Sequence, residues 1–436
     1  MRRHGVLTVL LTLALAVSLA ASCLSQPGTS PAERRQEAQI KQERLCQFLE
    51  ERNFGALLIN KVRNFSWITA GGDTHIVITS EAMPCHLLLT TDGGKYLIAN
   101  GSEAPRVMTE QLAGLGYELK FYPWYSDKAE PNRMVEIVQE LTEGVRLASD
   151  SPFPGAEELS DGEIAQVRIP LTDTEIQRYR WLGRQCAEAV AETCGGDVRW
   201  VPPGTAWGRM VPTEGLLGSV GAPTQVRPGM TEYEMETITA HNLRKRGITP
   251  TVLLIAADER IFNYRHAIPT EKKLEHYAMI NICARKWGLV IATTRFVYFG
   301  DMPDDLREKF EKAAYVDAIY LDSTQPGRTA GEILGRARHA YAKVGYPDEW
   351  TLHHQGGAIG YNERDWVTFP GCDEVIHARQ AFAWNPTLQG AKIEDTILAF
   401  DDRVEVLTEL PNWPSVEVEI AGKTYRRPVV LERPMP

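Results

Sequence analysis

Two adjacent apolar runs constrain the fold of this chain more than any other feature of its sequence. The first is AMINICA, from Ala278, and the second is GLVIATTRFVYF, from Gly288, with a turn at Arg285 to Gly288. The first is a short apolar run, and the second is rich in β-branched and aromatic residues, which is typical of buried strands. The two runs therefore predict a buried β-hairpin, and a polar loop with the sequence NYRHAIP, which contains His266, precedes it.

Three later segments belong with this stretch: LHHQGGAIGY at 352–361, FAWNPTL at 382–388 and KIEDTIL at 392–398. Together with Asn263–Arg295, they resemble in order and spacing the active-site strands of the pita-bread family, which includes creatinase, prolidase, aminopeptidase P and methionine aminopeptidase. The resemblance implies an α/β (α+β) fold, with an N-terminal creatinase-like or prolidase-like domain followed by a C-terminal pita-bread domain of the catalytic type. It is strongest from Thr231 to Ala399.

Most metal ligands of the family pattern are missing here. In the metallopeptidase members, two Asp, one His and two Glu hold a pair of divalent ions, because two close dications need several anionic ligands. Moving His354 to the metal position by a shift of alignment does not restore both Asp and the first Glu. We therefore expect no dinuclear metal site and no cofactor, and a space where the metal histidine would stand. In this sequence the two Asp positions hold Asn281 and Ala292, the His position holds Gly357, and the two Glu positions hold Asn385 and Glu394.

Other polar residues of the pattern remain. The resemblance implies that His266 shuttles a proton beside the scissile bond and that His353 touches the substrate, with His353 and Glu394 orienting His266 or the attacking water. We take these three as candidate catalytic residues. An Arg295–Glu394 ion pair and an Asn281–Asn385 hydrogen bond are the purely structural alternatives. The candidate substrate-binding residues are Arg295, which would fix a substrate carboxylate, and Asn281, Asn385, Tyr264, His354 and Tyr361.

Several functions are compatible with this pattern. The first is a metal-independent hydrolase of a C–N bond, amide or amidino, in a small molecule or a proline-containing peptide. Creatinase, a relative, uses a histidine as acid and base without a metal, and imidazole titrates near neutral pH. The second is a non-catalytic protein that binds a peptide or small molecule, and the third is a metal-dependent peptidase of the aminopeptidase P type. A Cys283–His266 nucleophile pair is a further alternative, because Cys283 shares a strand face with Asn281.

The N-terminus predicts export. Residues 1–22 read as a signal peptide, because Arg2 and Arg3 precede an apolar run that ends in small residues. The stretch LAASC, ending at Cys23, resembles a lipoprotein cleavage site, and 23–31 suits a flexible tether. We therefore expect a periplasmic or cell-envelope lipoprotein with a lipid anchor in the membrane; export without lipidation is the alternative. The net charge of −10 and the lack of a basic stripe argue against nucleic acid as a partner.

The rest of the chain divides into two predicted domains, at 32–150 and 170–436, with a stretch rich in Pro and Gly between them. In the first domain, FSWITAGG and HIVIT read as strands, and HLLLTTDGGKYLIAN reads as a hairpin. In the second, Thr172 and Thr231, each followed three residues later by Glu, predict capped helices. The family's N-terminal domain helps form dimers, so the resemblance also implies a homodimer. The six cysteines after Cys23 permit disulfides, although buried free thiols are the default.

Overall fold

The computed structural model describes residues 26–28, 30–128, 132–196 and 225–436. The predicted signal peptide and Cys23 lie outside these ranges. Within them, no helix is both long enough and apolar enough to cross a membrane. The six cysteines from Cys46 onward lie in the described ranges and are free thiols.

The N-terminal half is built on a six-stranded sheet with the strand order β4-β3-β2-β1-β5-β6. The predicted hairpin is confirmed as β2 and β3, and β6 carries the sheet past residue 150, where the sequence had placed the end of the domain. The strands are β1 (Ala56–Lys61), β2 (Ala82–Thr90), β3 (Lys95–Asn100), β4 (Glu118–Tyr122), β5 (Leu147–Ser149) and β6 (Ala156–Glu158). The helices are α1 (Pro31–Glu51), α2 (Val62–Ile68), α3 (Ala104–Arg106, followed by a π-helical turn at Val107–Gln111), α4 (Arg133–Leu141) and α5 (Asp161–Val167).

Two strands predicted in this half are wrong. The first half of FSWITAGG lies in α2, where Phe65, Trp67 and Ile68 are all buried. A short helix that is buried on every side shows no periodicity that separates it from a buried strand. The HIVIT segment is a loop of bends and turns, and its side chains from Ile76 to Ile78 are 58–61% exposed.

The C-terminal half begins with two helices, α6 (Asp173–Cys194) and α7 (Glu232–Arg244). Both start with the predicted capping box. The side chain of Thr172 or Thr231 accepts the backbone N–H of the Glu three residues later, and the side chain of that Glu accepts the backbone N–H of the Thr. The predicted buried hairpin is also confirmed, and it pairs Asn281 with Thr294 and Cys283 with Ala292. Its sheet has the order β19-β9-β8-β7. The elements are β7 (Thr249–Ala257), α8 (Glu259–Asn263), β8 (Tyr277–Lys286) and β9 (Leu289–Phe299).

A second sheet of five strands, in the order β11-β10-β12-β15-β16, packs beside this hairpin. The two sheets meet where the Thr294 amide donates to the Glu394 carbonyl at 3.1 Å. The remaining elements are α9 (Asp304–Ser323), α10 (Ala330–Lys343), a 3-10 turn (Glu349–Thr351), β10 (Gly356–Ile359), β11 (Trp366–Val367), β12 (Gln380–Trp384), β13 (Thr387–Leu388), β14 (Ala391–Lys392), β15 (Asp395–Ala399), β16 (Val404–Val406), β17 (Ser415–Ile420), β18 (Lys423–Pro428) and β19 (Leu431–Arg433).

A buried cluster of charges joins the two halves. The Lys41 ammonium of α1 lies 2.6 Å from Glu37, 2.8 Å from Glu175 of α6 and 3.0 Å from the Tyr361 hydroxyl, which follows β10. Arg178 of α6 adds a second ion pair to Glu37 at 3.0 Å. All five side chains are buried. We call these residues the interdomain cluster.

Candidate active site

Two loops carry the candidate histidines, and side chains outside the family pattern hold the loops together. Arg265, next to His266, forms an ion pair with Glu349, whose 3-10 turn leads into the loop of His353. Below that loop, the amide of Gln355 donates to the His353 carbonyl at 2.9 Å and accepts from the Tyr341 hydroxyl at 2.9 Å. The two loops are therefore fixed against each other and against the buried face of α10.

The structure brings the three predicted histidines into one cluster. The Nε2 atoms of His266 and His353 lie 3.0 Å apart, with their rings nearly perpendicular. The His354 ring stacks on His353 with centroids 4.4 Å apart. His353 is buried, whereas His266 and His354 are exposed. We call His266, His353 and His354 the histidine cluster.

All three imidazoles are uncharged at neutral pH. Burial, followed by the charge of Lys392, lowers the pKa of His266 and takes the pKa of His353 down to about 2. Burial and the guanidinium of Arg364 lower the pKa of His354 to about 4. Each ring therefore offers a lone pair at physiological pH.

The buried carboxylate of Glu394 lies between two cations. Its Oε2 atom is 2.9 Å from the Lys392 ammonium, and its Oε1 atom is 2.9 Å from the Arg364 guanidinium. The predicted residue Asn281 does lie here, because its amide donates to Oε2 at 2.7 Å, and the Thr294 hydroxyl donates to the same oxygen at 2.8 Å. Lys392 and Thr294 were missed from the sequence, although Lys392 stands two residues before Glu394 in an extended segment and so on the same side.

Charge pairing keeps Glu394 ionised. Burial would raise the pKa of this carboxyl, but Lys392 and Arg364 lower it from 4.5 to about 2. Ionised Glu394 is therefore a weak base and a poor proton donor. Its plainest effect is to neutralise one of two neighbouring cations, which leaves this ion-paired group with an excess of one positive charge.

We expect Glu394→Gln to destabilise the protein at neutral pH and to flatten its acid sensitivity. A carboxyl whose pKa falls from 4.5 to about 2 on folding adds stability that is complete above 4.5 and is lost as the pH falls to about 2. The linked contribution is about 3 kcal/mol. Urea unfolding of both proteins at about pH 7 and about pH 3 measures it. A stability difference that stays constant with pH would contradict this assignment.

Two predicted site residues lie elsewhere. Arg295 does not pair with the Glu394 carboxylate: its guanidinium is buried, 2.7 Å from Asp395 and 2.8 Å from the Thr408 carbonyl. Arg295 follows Thr294, so strand alternation turns it to the opposite face of the hairpin. Tyr361 is a member of the interdomain cluster, where its buried hydroxyl donates to Glu175 at 2.7 Å. Neither side chain is available to fix a substrate.

Asn385 and Tyr264 make other contacts than those expected. Asn385 is buried, and its side-chain oxygen has no hydrogen-bond partner among the described residues. The amide of Asn281 bonds to Glu394 and Thr294 and not to Asn385, so the predicted amide pair is not formed. Tyr264 is half exposed, and the Arg260 guanidinium stacks over its ring.

There is no room for a side chain at Gly357, the position of the metal-binding histidine in the family pattern. A Cβ atom placed on Gly357 would lie 2.1 Å from the Trp366 carbonyl oxygen and 2.9 Å from the Trp366 ring. Strand β11 therefore fills the place where the sequence predicted a space, because β10 and β11 pair directly at Gly357. Any side chain at Gly357 would force the two strands apart.

Cys283 is a buried thiol on β8. It lies opposite Ala292, and its thiol is close enough to Arg364 and Glu394 to feel their charges. Burial raises its pKa to about 12, so the thiolate is scarce at neutral pH. This disfavours a Cys283–His266 nucleophile pair.

Comparison with known proteins agrees with this fold. Residues 218–400 match the model of metallopeptidase family M24. The Xaa-Pro dipeptidase of Lactobacillus delbrueckii subsp. lactis is 29% identical over 114 residues, which are 25% of this chain and 31% of that protein. The Xaa-Pro dipeptidase of Pyrococcus horikoshii is 26% identical over 153 residues, which are 33% and 43%. The chain thus matches less than half the length of either relative.

Solved structures extend the likeness over both halves. The dipeptidase PepE of Mycobacterium ulcerans superposes with a TM-score of 0.67 at 15% identity, and it covers 92% of this chain and 99% of its own. The prolidase of Pyrococcus horikoshii gives a TM-score of 0.63 at 18% identity, over 85% and 98%. The family resemblance found in the sequence is therefore confirmed: residues 218–400 match the domain of metallopeptidase family M24, and both halves have the fold of the solved prolidases and dipeptidases.

Proposed function

We propose that this protein is a metal-independent hydrolase of a C–N bond, amide or amidino, in a small molecule or a proline-containing peptide. The observation that carries the proposal is the 3.0 Å contact between the Nε2 atoms of His266 and His353. An exposed imidazole backed by a second one is suited to moving a proton. The M24 fold and the Xaa-Pro dipeptidase relatives support a substrate with an amide bond next to proline or a similar group.

In this mechanism His266 is the acid and base. As a neutral imidazole it takes a proton from water while the water oxygen bonds to the carbonyl or amidino carbon. It then returns the proton to the nitrogen that leaves as the C–N bond breaks. The buried ring of His353 holds His266 in place from behind. Both rings are neutral before the reaction because burial lowers their pKa.

The charges around Glu394 favour an anionic substrate. Lys392 and Arg364 provide two positive charges against one carboxylate, and both lie near the histidine cluster. With Arg295 buried on the other face, these cations are better placed to attract a substrate carboxylate. Glu394 itself acts by holding them, not by exchanging protons.

The residues present do not fit the family's metal pair. Of five ligand positions only Glu394 keeps a carboxylate, and both of its oxygens already contact cationic side chains. The ammonium and guanidinium supply positive charge where an ion would need free anionic ligands. Gly357 leaves no room for the histidine that the pair would require.

Metal analysis and a chelator test the proposal. We expect turnover of a library of small amides and Xaa-Pro peptides that a chelator does not reduce, and no pair of ions per chain. Two equivalents of manganese, zinc or cobalt whose removal abolishes activity would show that the protein is an ordinary metallopeptidase.

A second candidate is a non-catalytic binding protein. The observation that favours it is that Arg364 and Lys392 hold the two oxygens of Glu394, so this carboxylate cannot orient His266 as a base. Saturable binding of peptides without turnover would support this alternative.

In either case we infer an exported, lipid-anchored homodimer, as the N-terminal sequence and the family resemblance imply. Labelling of Cys23 with a lipid precursor and light scattering would check these two points.

A further inference from the structure

We propose that the histidine cluster binds a single transition-metal ion and that this ion switches the active site off. Within the described ranges, these three side chains are close enough together to ligate one metal ion, because their ligand nitrogens lie within 4.8 Å of one another. This site differs from the family's metal pair, because it uses none of the positions of Asn281, Ala292, Gly357, Asn385 and Glu394.

The geometry is close to that of a three-histidine site. Zinc–nitrogen bonds of about 2.0–2.1 Å in a tetrahedron place ligand nitrogens about 3.3 Å apart. The His266 and His353 Nε2 atoms, at 3.0 Å, are already near that separation. His354 is exposed and sits on the loop beside His353, so a rotation of its ring brings the third nitrogen in.

The donor set selects the ion. Three neutral imidazoles suit Zn²⁺, Cu²⁺, Ni²⁺ and Co²⁺, whereas Mn²⁺ and Mg²⁺ prefer carboxylate oxygens. Glu394 cannot join the set, because Lys392 and Arg364 hold both of its oxygens. The fourth position stays open to water, and the two exposed rings give a dissolved ion a direct path to the cluster.

Inhibition follows because the ion takes over the contact between His266 and His353. A metal ion bound to both Nε2 atoms replaces the contact that holds His266 in place and lowers the basicity of its ring, so the occupied protein cannot turn over substrate. This part of the inference rests on the proposed function. Binding of the ion does not, and it can be measured without any substrate.

Calorimetry with Zn²⁺ and the visible absorption of bound Co²⁺ test the site on chelator-treated full-length protein. We expect one equivalent, a four-coordinate cobalt spectrum and no competition from Mn²⁺. His354→Ala should weaken binding by at least about 100-fold, since even outer-shell partners of metal ligands are worth about 10- to 100-fold. His339→Ala, which removes an exposed imidazole on α10, is the matched control and should change nothing.

The outcomes separate the two proposals. Zinc uptake that His354→Ala leaves intact, or equal uptake of Mn²⁺, would overturn the metal site. Zinc bound at the cluster of a protein without turnover would support the site and contradict the hydrolase. Turnover that is unaffected at saturating Zn²⁺ would overturn the inhibition.

Discussion

His266→Ala should abolish turnover, lowering kcat/KM by about 10²- to 10⁴-fold, the usual contribution of a positioned general acid or base. The loss should fall on kcat more than on KM, because His266 acts on the reacting bond and the cations beside Glu394 attract the substrate. Stability should hardly change, because His266 is exposed and exposed substitutions alter unfolding free energies by about 0.5 kcal/mol or less. Steady-state kinetics on the best amide substrate, with urea unfolding in parallel, measures both effects.

The matched control for this prediction is His339→Ala, which removes another exposed imidazole and should keep full activity. If His266→Ala retained normal kcat, acid–base catalysis by this residue would be refuted. His353→Gln tests the supporting role of His353, because it removes the ring behind His266 while it preserves a hydrogen-bonding side chain. We expect it to lower kcat less than His266→Ala does.

Lys41→Met should cause the largest loss of stability. The substitution leaves Glu37 and Glu175 buried without their shared ammonium, while Arg178 still pairs with Glu37. Removing one partner of a buried ion pair costs about 3–5 kcal/mol, because the remaining charge keeps its desolvation penalty. The pKa of Glu175, which burial raises and Lys41 lowers, should rise in the variant. Equilibrium unfolding in urea at neutral pH measures the change.

Lys312→Met is the control, because Lys312 forms an exposed helical ion pair with Glu308 at 2.8 Å. Such pairs are worth about 0.3–0.5 kcal/mol. Similar losses in the two variants would mean that the interdomain cluster contributes no more than surface charge. A large loss confined to Lys41→Met would show that it holds the halves together.

Local patterns in the sequence predicted the local structure well. The capping residues Thr172 and Thr231 begin helices, and the two apolar runs form a hairpin, because these signals depend on neighbours along the chain. The failures came where packing decides. The first half of FSWITAGG is helical although its apolar side chains are buried as in a strand, and HIVIT forms exposed turns although it is rich in β-branched residues.

The site shows the same division. The sequence identified the three histidines, and the fold brings them together. The sequence offered Arg295 as the ion-pair partner of Glu394. In the structure Glu394 forms ion pairs with Lys392 and Arg364, and Arg295 forms one with Asp395. Strand alternation could have corrected Arg295, since neighbouring residues face opposite sides of a sheet. The approach of Arg364 depends on how a loop folds back, which no short-range pattern reveals.

Through the interdomain cluster, α1 supports the segment that carries two of the histidines. The Lys41 ammonium donates to the hydroxyl of Tyr361, and Tyr361 ends the short segment that contains His353 and His354. The C-terminal half produced alone, from residue 170 onward, would lose this support, and Glu175 and Tyr361 would lose their contact with the Lys41 ammonium. The contacts that fix the two histidine loops to each other would remain, but the segment that follows them would lose its anchor, so we expect the C-terminal half to need α1 for full stability.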